Sequence, residues 1–329
     1  MTYSLRDKIF TIKNQTDFLE SALQIFEYQL NKSAVYQHFA GILKRSPDKI
    51  KSLTDLPFLP VEFFRNHMII SGEKPAEKIF ESSGTTGNLT SRHFVCDTGL
   101  YEESFLNSFR LFYGDPEDYM IAALLPSYTE RENSSLVYMT NALIKMSKNP
   151  LSGFYRENED KLVQNITSSR DAGMKVFLLG VSFALLDLAE KNPPDLSGIT
   201  VMETGGMKGR RKEVTRAELH SSLKKAFNVS AIHSEYGMTE LLSQAYSKGE
   251  GIFYCPPWMK IILRDTHDPL TLFTEPGITG GINIIDLANI YSCSFISTGD
   301  LGRLHPDGGF EVLGRYDNSD IRGCNLLAD

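Results

Sequence analysis

The sequence predicts an α/β protein in which parallel βαβ units form the larger part and a smaller β-rich part follows. Short apolar segments alternate with helical segments through the middle of the chain. After Gly249, Gly and Pro become frequent and the strand-like runs become short. The 329 residues are 41% hydrophobic and 23% charged, which is typical of globular proteins and sufficient for one large or two moderate domains.

The N-terminal part is predicted to be helical. Over residues 17–43, apolar side chains recur at three- and four-residue steps, a pattern typical of one or two amphipathic helices. Residues 55–65 include Pro57 and Pro60, each of which disfavours helix in the residue before it. We therefore expect residues 1–75 to form a helical segment followed by an extended connector.

The central and late parts are predicted to form one α/β domain over residues 76–313. Its strands and helices are expected to follow one another as strand 119–125, helix 134–146, strand 175–179, helix 182–190, strand 199–202, helix 211–227 and strand 229–233. The β-rich part at 249–313 is expected to contain strands 260–263, 281–285 and 310–313, with a turn at Asp307-Gly-Gly. Residues 314–329 are interpreted as a tail.

Charge and cysteine content narrow the possible function classes. The chain has 34 Lys and Arg against 41 Asp and Glu, a formal net charge of −7, and therefore no basic field that would attract nucleic acid. Its four cysteines lack the close paired spacing of a zinc site or a disulfide framework. No run approaches the roughly 20 apolar residues of a membrane span. We expect a cytoplasmic protein with reduced thiols.

A segment rich in hydroxyls and glycines follows the strand-like residues 79–81. It reads Ser82-Ser83-Gly84-Thr85-Thr86-Gly87. Glycines allow close approach of the backbone, so that hydroxyls and N–H groups can surround an anion. It is not the GxxxxGK[ST] pattern, because no lysine follows the second glycine. The segment is either a phosphate-binding loop or the solvated loop of a hairpin between residues 78–80 and 93–95.

Two further segments place polar residues beside strand-like runs. In Tyr236-Gly237-Met238-Thr239-Glu240, the ring could face a nucleobase and the carboxylate could ligate Mg²⁺, or the segment is simply a buried Tyr with a capping Thr. His233, just before it, either lines a substrate pocket or is a hydrogen-bonded structural residue. Thr204-Gly205-Gly206 lies between a strand and a helix, where ligands gather in open α/β sheets.

The last polar segments contain Asp300 and Arg315. A carboxylate such as that of Asp300 can accept hydrogen bonds from two ribose hydroxyls, and the planar guanidinium of Arg315 can contact a phosphate. Either residue could equally belong to a turn or to a surface ion pair.

Taken in order, these segments resemble the motif series of the adenylate-forming superfamily, which includes acyl-CoA synthetases, peptide-synthetase adenylation domains and luciferases. The matching segments are Ser82-Ser-Gly-Thr-Thr-Gly, Thr204-Gly-Gly, Tyr236-Gly-Met-Thr-Glu, Ser297-Thr-Gly-Asp and Gly314-Arg. Larger members continue into a mobile C-terminal domain with a catalytic lysine, whereas this sequence stops at Asp329, so the large-domain fold is expected without that domain. Residues 56–65 and 320–329 resemble the acyl-protein synthetase family, the synthetase subunit of the bacterial luminescence fatty-acid reductase complex.

The resemblance implies that the enzyme uses ATP and Mg²⁺ to activate a carboxylic acid, expected from the family to be a fatty acid, giving an acyl-adenylate and pyrophosphate. Ser82, Ser83, Thr85 and Thr86 would then surround the β- and γ-phosphates, and Tyr236 would lie against adenine. Thr239 would contact the α-phosphate, Glu240 would ligate Mg²⁺, and Asp300 and Arg315 would hold the ribose. The remaining nucleotide-binding positions implied are Gly84, Gly87, Gly205, Gly206 and Gly237.

The resemblance also implies transfer of the acyl group to Cys324 and delivery to a partner reductase. From Arg315, an extended chain reaches about 30 Å by Cys324, and Arg322 nearby would favour the thiolate. Cys324 could instead be an inert tail thiol. The alternatives are a shortened acyl-CoA or carrier-protein ligase with an external thiol acceptor, and a non-catalytic nucleotide-binding scaffold. The sequence does not identify the acid.

Overall fold

The computed structural model describes residues 5–82, 90–127, 130–191, 193, 195–205 and 214–315. The described residues divide into two compact units. The first takes in the chain up to Lys74 and again from Pro257 onward, and the second is Pro75–Pro256.

The described helices and strands are numbered in chain order. The α-helices are α1 (Leu5–Ile9), α2 (Gln15–Lys32), α3 (Ala34–Ile42), α4 (Phe63–Asn66), α5 (Thr98–Tyr113), α6 (Ser135–Met146), α7 (Glu159–Asp171), α8 (Ser182–Glu190) and α9 (Arg216–Phe227). The strands are β1 (Leu59–Pro60), β2 (Lys78–Glu81), β3 (Arg92–Val95), β4 (Tyr119–Leu124), β5 (Gly153–Phe154), β6 (Lys175–Val181), β7 (Thr200–Thr204), β8 (His233–Tyr236), β9 (Ala245–Ser247), β10 (Ile252–Phe253), β11 (Met259–Arg264), β12 (Leu272–Phe273), β13 (Thr279–Asp286), β14 (Phe295–Leu304) and β15 (Phe310–Arg315).

The second unit is built on a sheet with strand order β5-β4-β6-β7-β8-β9. Strands β5 to β8 are parallel and β9 is antiparallel to β8. Every residue of β4 is buried, as the apolar run predicts for a strand covered on both faces. Helix α9 begins with a capping box between Thr215 and Glu218. It is followed by Asn228, which adopts a left-handed conformation with φ 53°.

A hairpin in the same unit frames the hydroxyl-rich segment. Strands β2 and β3 are antiparallel, with Phe80 opposite His93. The fully buried ring of Phe80 packs between Tyr101 and Tyr138, at centroid distances of 5.5 Å from each. The hairpin pairing of residues 78–80 with 93–95, which is one of the two interpretations of this segment, is present. Residues 83–89 of its loop lie outside the described residues.

The first unit combines the N-terminal helices with the late strands. Its antiparallel strands lie in the order β15-β14-β13-β11-β12, and β1 pairs with β14 in parallel. The buried side-chain amide of Gln29 on α2 donates to the carbonyls of Asn289 and Ile290, at 3.1 and 2.9 Å. The rings of Phe26 and Tyr36 pack on Phe295 of β14. Among the described residues, no helix is long and apolar enough to cross a bilayer.

The structure confirms most predicted elements and corrects three. The helical pattern at 17–43 forms α2 and α3, and the helix expected at 182–190 is α8. The strand expected at 229–233 is wrong, because the chain after the left-handed Asn228 forms a loop and β8 begins only at His233. The helix predicted from residue 211 begins at Arg216, after the capping Thr215. The connector is not wholly extended, since α4 forms beyond the last proline.

Candidate functional site

The carboxyl ends of β6, β7 and β8 bring two of the sequence motifs together. These strands are parallel neighbours, and their register places Thr204 opposite both Val181 and Glu235. The hydroxyl of Thr204 donates a hydrogen bond to the carboxylate of Glu235. The Thr204-Gly205 segment and the Tyr236 segment therefore lie at the same edge of the sheet, where ligands bind in open α/β folds.

A buried polar network lies directly beneath this edge. The Ser182 hydroxyl, at the start of α8, lies 3.0 Å from Glu203 Oε2 and 2.8 Å from the carbonyl oxygen of Gly205. The carboxylate of Glu203 is also 3.6 Å from His220 Nε2 and 3.7 Å from Arg216 Nε. Gly205 has φ +67°, which favours glycine. The network fixes the turn after β7, and the sequence analysis did not single out Ser182, Glu203 or His220 for it.

Tyr236 lies at the end of β8 and is partly exposed. Its ring packs at a steep angle on Phe253 of β10, with centroids 5.9 Å apart. The guanidinium of Arg216 lies 4.9 Å from the centroid of the Phe253 ring. Phe253 is buried. Its ring therefore gives the Tyr236 ring a fixed packing partner beside the carboxyl ends of β7 and β8.

Gly237 is required by a close approach. A Cβ atom at this position would collide with the carboxylate of Glu235 and would lie 3.4 Å from Cγ of Gln244. The carboxylate of Glu235 is held by Thr204, so moving it away from the new Cβ atom would strain that hydrogen bond. Glycine is therefore the residue that fits after Tyr236.

Thr239 and Glu240 form a turn beside the β2–β3 hairpin. The turn is closed by a 3.1 Å hydrogen bond from Leu241 N–H to the carbonyl of Met238. The carbonyl oxygen of Thr239 lies 2.8 Å from Nδ1 of His93 on β3. The Glu240 side chain is buried, with 4% of the residue exposed.

Glu240 is the candidate ligand for a divalent cation. Among the described residues, no group of three or more His, Cys, Asp or Glu side chains could hold a metal ion. Mg²⁺, however, is typically held by one or two carboxylates together with phosphate oxygens and water. The single carboxylate of Glu240 fits that mode when a nucleotide supplies the phosphates.

Ser82 closes the neck of the hairpin loop. Its N–H donates to the carbonyl of Ser91 at 3.0 Å, and its hydroxyl accepts from the Ser91 N–H at 2.9 Å. Ser91 is two residues before His93, so the neck of the loop lies close in sequence to the Thr239 contact. The other predicted loop positions, Ser83, Gly84, Thr85, Thr86 and Gly87, lie outside the described residues, as does Gly206.

Asp300 and Arg315 are brought together within the first unit. They are paired across β14 and β15, and Arg315 Nε lies 3.7 Å from Asp300 Oδ1. The Asp300 N–H donates a hydrogen bond to the side-chain hydroxyl of Thr298. The backbone carbonyl of Thr298 in turn accepts a hydrogen bond from the guanidinium of Arg264 at 2.5 Å. Since the Arg315 side chain is 76% exposed, the ion pair itself adds little stability.

The surroundings of His233, Cys96 and Cys293 are those of residues that stabilise the fold. Nδ1 of His233 lies 3.2 Å from the hydroxyl of Tyr113, and burial, with the charges of Lys248 and His220, lowers the pKa of His233 to about 4. Cys96 and Cys293 are buried, and burial raises the pKa of Cys293 to about 12. Cys324 lies outside the described residues.

Comparisons with known proteins establish the fold. No protein-family model and no curated protein matches the sequence. Among solved structures, the chain is similar to ATP-bound MatB from Rhodopseudomonas palustris, with 18% identity and a TM-score of 0.54 over 72% of this chain and 47% of that one. It is similar to 2-hydroxyisobutyryl-CoA ligase in the postadenylation state with R3-HIB-AMP, with 12% identity and a TM-score of 0.65 over 91% and 67% of the two chains.

A further similar structure is the amide bond synthetase McbA from Marinactinospora thermotolerans, with 16% identity and a TM-score of 0.51 over 73% of this chain and 49% of that one. The chain spans about half the length of MatB and McbA. The predicted mixed α/β fold is therefore confirmed: the described residues form a fold similar to that of these solved structures.

Proposed function

We propose that this chain activates a carboxylic acid with ATP, forming an acyl-adenylate and releasing pyrophosphate. The acyl group is then transferred to Cys324 of the same chain as a thioester, for delivery to a reductase. The fold supports adenylation, since one similar structure holds an acyl-AMP compound and another holds ATP.

One observation supports this function above all others. The contact between His93 and Thr239 joins two segments that are far apart in sequence. One is the hairpin that frames the hydroxyl-rich loop, and the other is the turn with the only carboxylate of the Tyr236 motif, Glu240. Phosphate donors and a metal-binding carboxylate are both required beside the same triphosphate.

The chemistry needs positioning more than acid–base groups. When the carboxylate of the substrate attacks the α-phosphorus, negative charge develops on the non-bridging and leaving oxygens. Fixed donors at those oxygens lower the barrier, because they need little reorganisation during the reaction. In the proposal, Ser82 to Gly87 bind the outer phosphates, Thr239 contacts the α-phosphate and Tyr236 lies against adenine. Asp300 and Arg315 hold the ribose. The remaining proposed nucleotide-binding positions are Gly205, Gly206 and Gly237.

Glu240 would hold Mg²⁺ against the phosphates, and the ion would supply positive charge to the departing pyrophosphate. The buried position of Glu240 keeps its carboxylate in place before the nucleotide arrives. In the proposal, the chain itself therefore contributes a buried carboxylate together with the donors of the hydroxyl-rich loop.

In the second step, the Cys324 thiolate attacks the acyl carbonyl of the adenylate. A carbon–sulfur bond forms, the bond between the acyl carbon and the phosphate oxygen breaks, and AMP leaves. The thiol proton passes to solvent. An external thiol such as CoA is the second candidate acceptor, because one of the similar structures is a CoA ligase by name.

The test is pyrophosphate release from Mg·ATP over a panel of carboxylic acids, followed by intact-mass measurement. With an accepted acid, we expect one acyl adduct that hydroxylamine removes and that Cys324→Ala lacks. Cys255→Ala is the matched control, since Cys255 is partly exposed, and it should retain the adduct.

Three results would change the proposal. An adduct in Cys324→Ala equal to that of the parent contradicts the acceptor. Formation of acyl-CoA at a rate indifferent to Cys324→Ala supports the external acceptor instead. Binding of ATP by calorimetry without pyrophosphate release for any acid supports a nucleotide-binding scaffold.

A further inference from the structure

We propose that His93 is a positioning residue that fixes the Thr239–Glu240 turn relative to the neck of the hydroxyl-rich loop. This inference rests on the proposed function and adds to it a residue outside the motif series. The residue belongs to β3, two positions beyond Ser91, and its side chain is fully buried.

The direction of the hydrogen bond follows from its partner. The Thr239 oxygen is a backbone carbonyl and can only accept, so Nδ1 of His93 must carry the proton at their 2.8 Å separation. In the protein interior, leaving such a carbonyl without a donor is unfavourable. The imidazole is therefore a directional link rather than an apolar filler.

Both ends of this link are anchored. On the hairpin side, Phe80 lies opposite His93 and is held between two tyrosine rings, and two hydrogen bonds between Ser82 and Ser91 close the loop neck. On the other side, the hydrogen bond from Leu241 closes the turn. A rigid link between rigid ends fixes the Thr239–Glu240 turn relative to the loop neck at Ser82 and Ser91.

The reaction is sensitive to the position of this turn. Glu240 and the loop would contact different oxygens of one triphosphate, so a shift of the turn would separate the metal-binding carboxylate from the phosphates it must neutralise. Misplacement of reacting groups by about 1 Å can reduce a rate about a hundredfold. His93 should therefore affect turnover more strongly than acid binding.

The matched variants are His93→Asn and His93→Gln. The Asn amide nitrogen occupies the place of Nδ1, whereas the Gln amide nitrogen reaches the place of Nε2. We expect His93→Asn to retain pyrophosphate release within about threefold of the parent, and His93→Gln to lose about tenfold or more in kcat. The KM for the acid should be unchanged, and the melting temperatures of the two variants should agree.

Equal rates in the two variants, or a faster Gln variant, would overturn the role of His93 while leaving the proposed function intact. If the parent releases no pyrophosphate with any acid, the proposed function fails, and titration calorimetry with ATP decides the inference. Weaker ATP binding by His93→Gln than by His93→Asn then supports it. Equal binding, or no binding by the parent, overturns it.

Discussion

Position 237 needs a glycine because of a neighbouring carboxylate rather than because of a turn. In Gly237→Ala, the new methyl group would displace Glu235 and break its hydrogen bond from Thr204. We expect a loss of about 1–2 kcal/mol in the free energy of unfolding, the typical cost of a broken hydrogen bond to a carboxylate, and weaker ATP binding. Urea unfolding and titration calorimetry measure the two effects.

Gly41→Ala is the matched control for this substitution. Gly41 lies inside α3, and a Cβ atom there meets no atom within 4 Å. Alanine has the higher helix propensity, so this variant should be more stable by about 0.5–1 kcal/mol. The steric argument fails if both alanine variants unfold at the same urea concentration as the parent.

His233 makes the stability of the protein dependent on pH. Its pKa is lowered from 6.5 to about 4, first by burial and then by Lys248 and His220. The unfolded chain therefore binds this proton more readily, so the contribution of His233 is fully present above pH 6.5 and is lost as the pH falls to about 4. His233→Gln should therefore reduce the fall of the urea unfolding midpoint between pH 6.5 and about pH 4.

His267→Gln is the control, because the side chain of His267 is 91% exposed. This variant should show the same fall of the urea midpoint as the parent. A reduced fall in both variants would contradict the assignment to His233.

Asp300 is proposed to accept hydrogen bonds from the ribose hydroxyls. The parent should then bind ATP more tightly than 2′,3′-dideoxy-ATP, and Asp300→Ala should lose this preference, which we expect to be about tenfold or more. Glu311→Ala, on the neighbouring strand β15, serves as the control and should keep the preference. Equal preference in all three proteins, measured by calorimetry, would remove Asp300 from the site.

At the scale of elements, the start of α8 holds the turn after β7. Ser182→Ala would leave Glu203 and the Gly205 carbonyl without this hydroxyl. We expect a loss of about 1–3 kcal/mol in the free energy of unfolding, because the carboxylate of Glu203 is buried and would lose a hydrogen-bond donor. The matched control is Ser108→Ala in α5, whose buried hydroxyl has no hydrogen-bond partner among the described residues. That change should be neutral or stabilising, and similar losses for the two serines would show that burial alone sets the effect.

The sequence predicted elements well where the pattern is local. β4, β6 and α8 are long apolar or amphipathic runs, and their positions follow from periodicity alone. β8 was misplaced because Val229 and Ile232 are apolar, although they belong to the loop after α9. The motif residues were found because glycine and hydroxyl clusters are visible in sequence. His93 and Glu203 were not found, since a single buried polar residue in a strand has no local pattern.

At the scale of the whole molecule, the first unit depends on contacts between distant parts of the sequence. Two-residue β1 pairs with β14, and Gln29 binds carbonyls more than 250 residues away. Neither contact has a sequence signature, because the partners share no motif and lie outside any local window. The domain division predicted as 1–75, 76–313 and 314–329 could not include this association. That division stays a prediction beside the two compact units of the structure.

This organisation predicts how fragments of the chain behave. Residues 75–256 are continuous and contain the sheet from β4 to β9 with its helices, so this fragment should fold alone and unfold cooperatively on heating. Residues 1–74 should not fold alone, because Phe26 and Tyr36 would lose Phe295 and β1 would lose β14. Circular dichroism of the separate fragments tests both expectations. A cooperative transition in 1–74, or its absence in 75–256, would show that the cores are not divided at Lys74 and Pro256. Mixing fragment 1–74 with fragment 257–329 should restore the helical signal in proportion to the complex that forms. Only when both fragments are present does the side chain of Gln29 regain its carbonyl acceptors. The rings of Phe26 and Tyr36 then also regain their buried positions against Phe295.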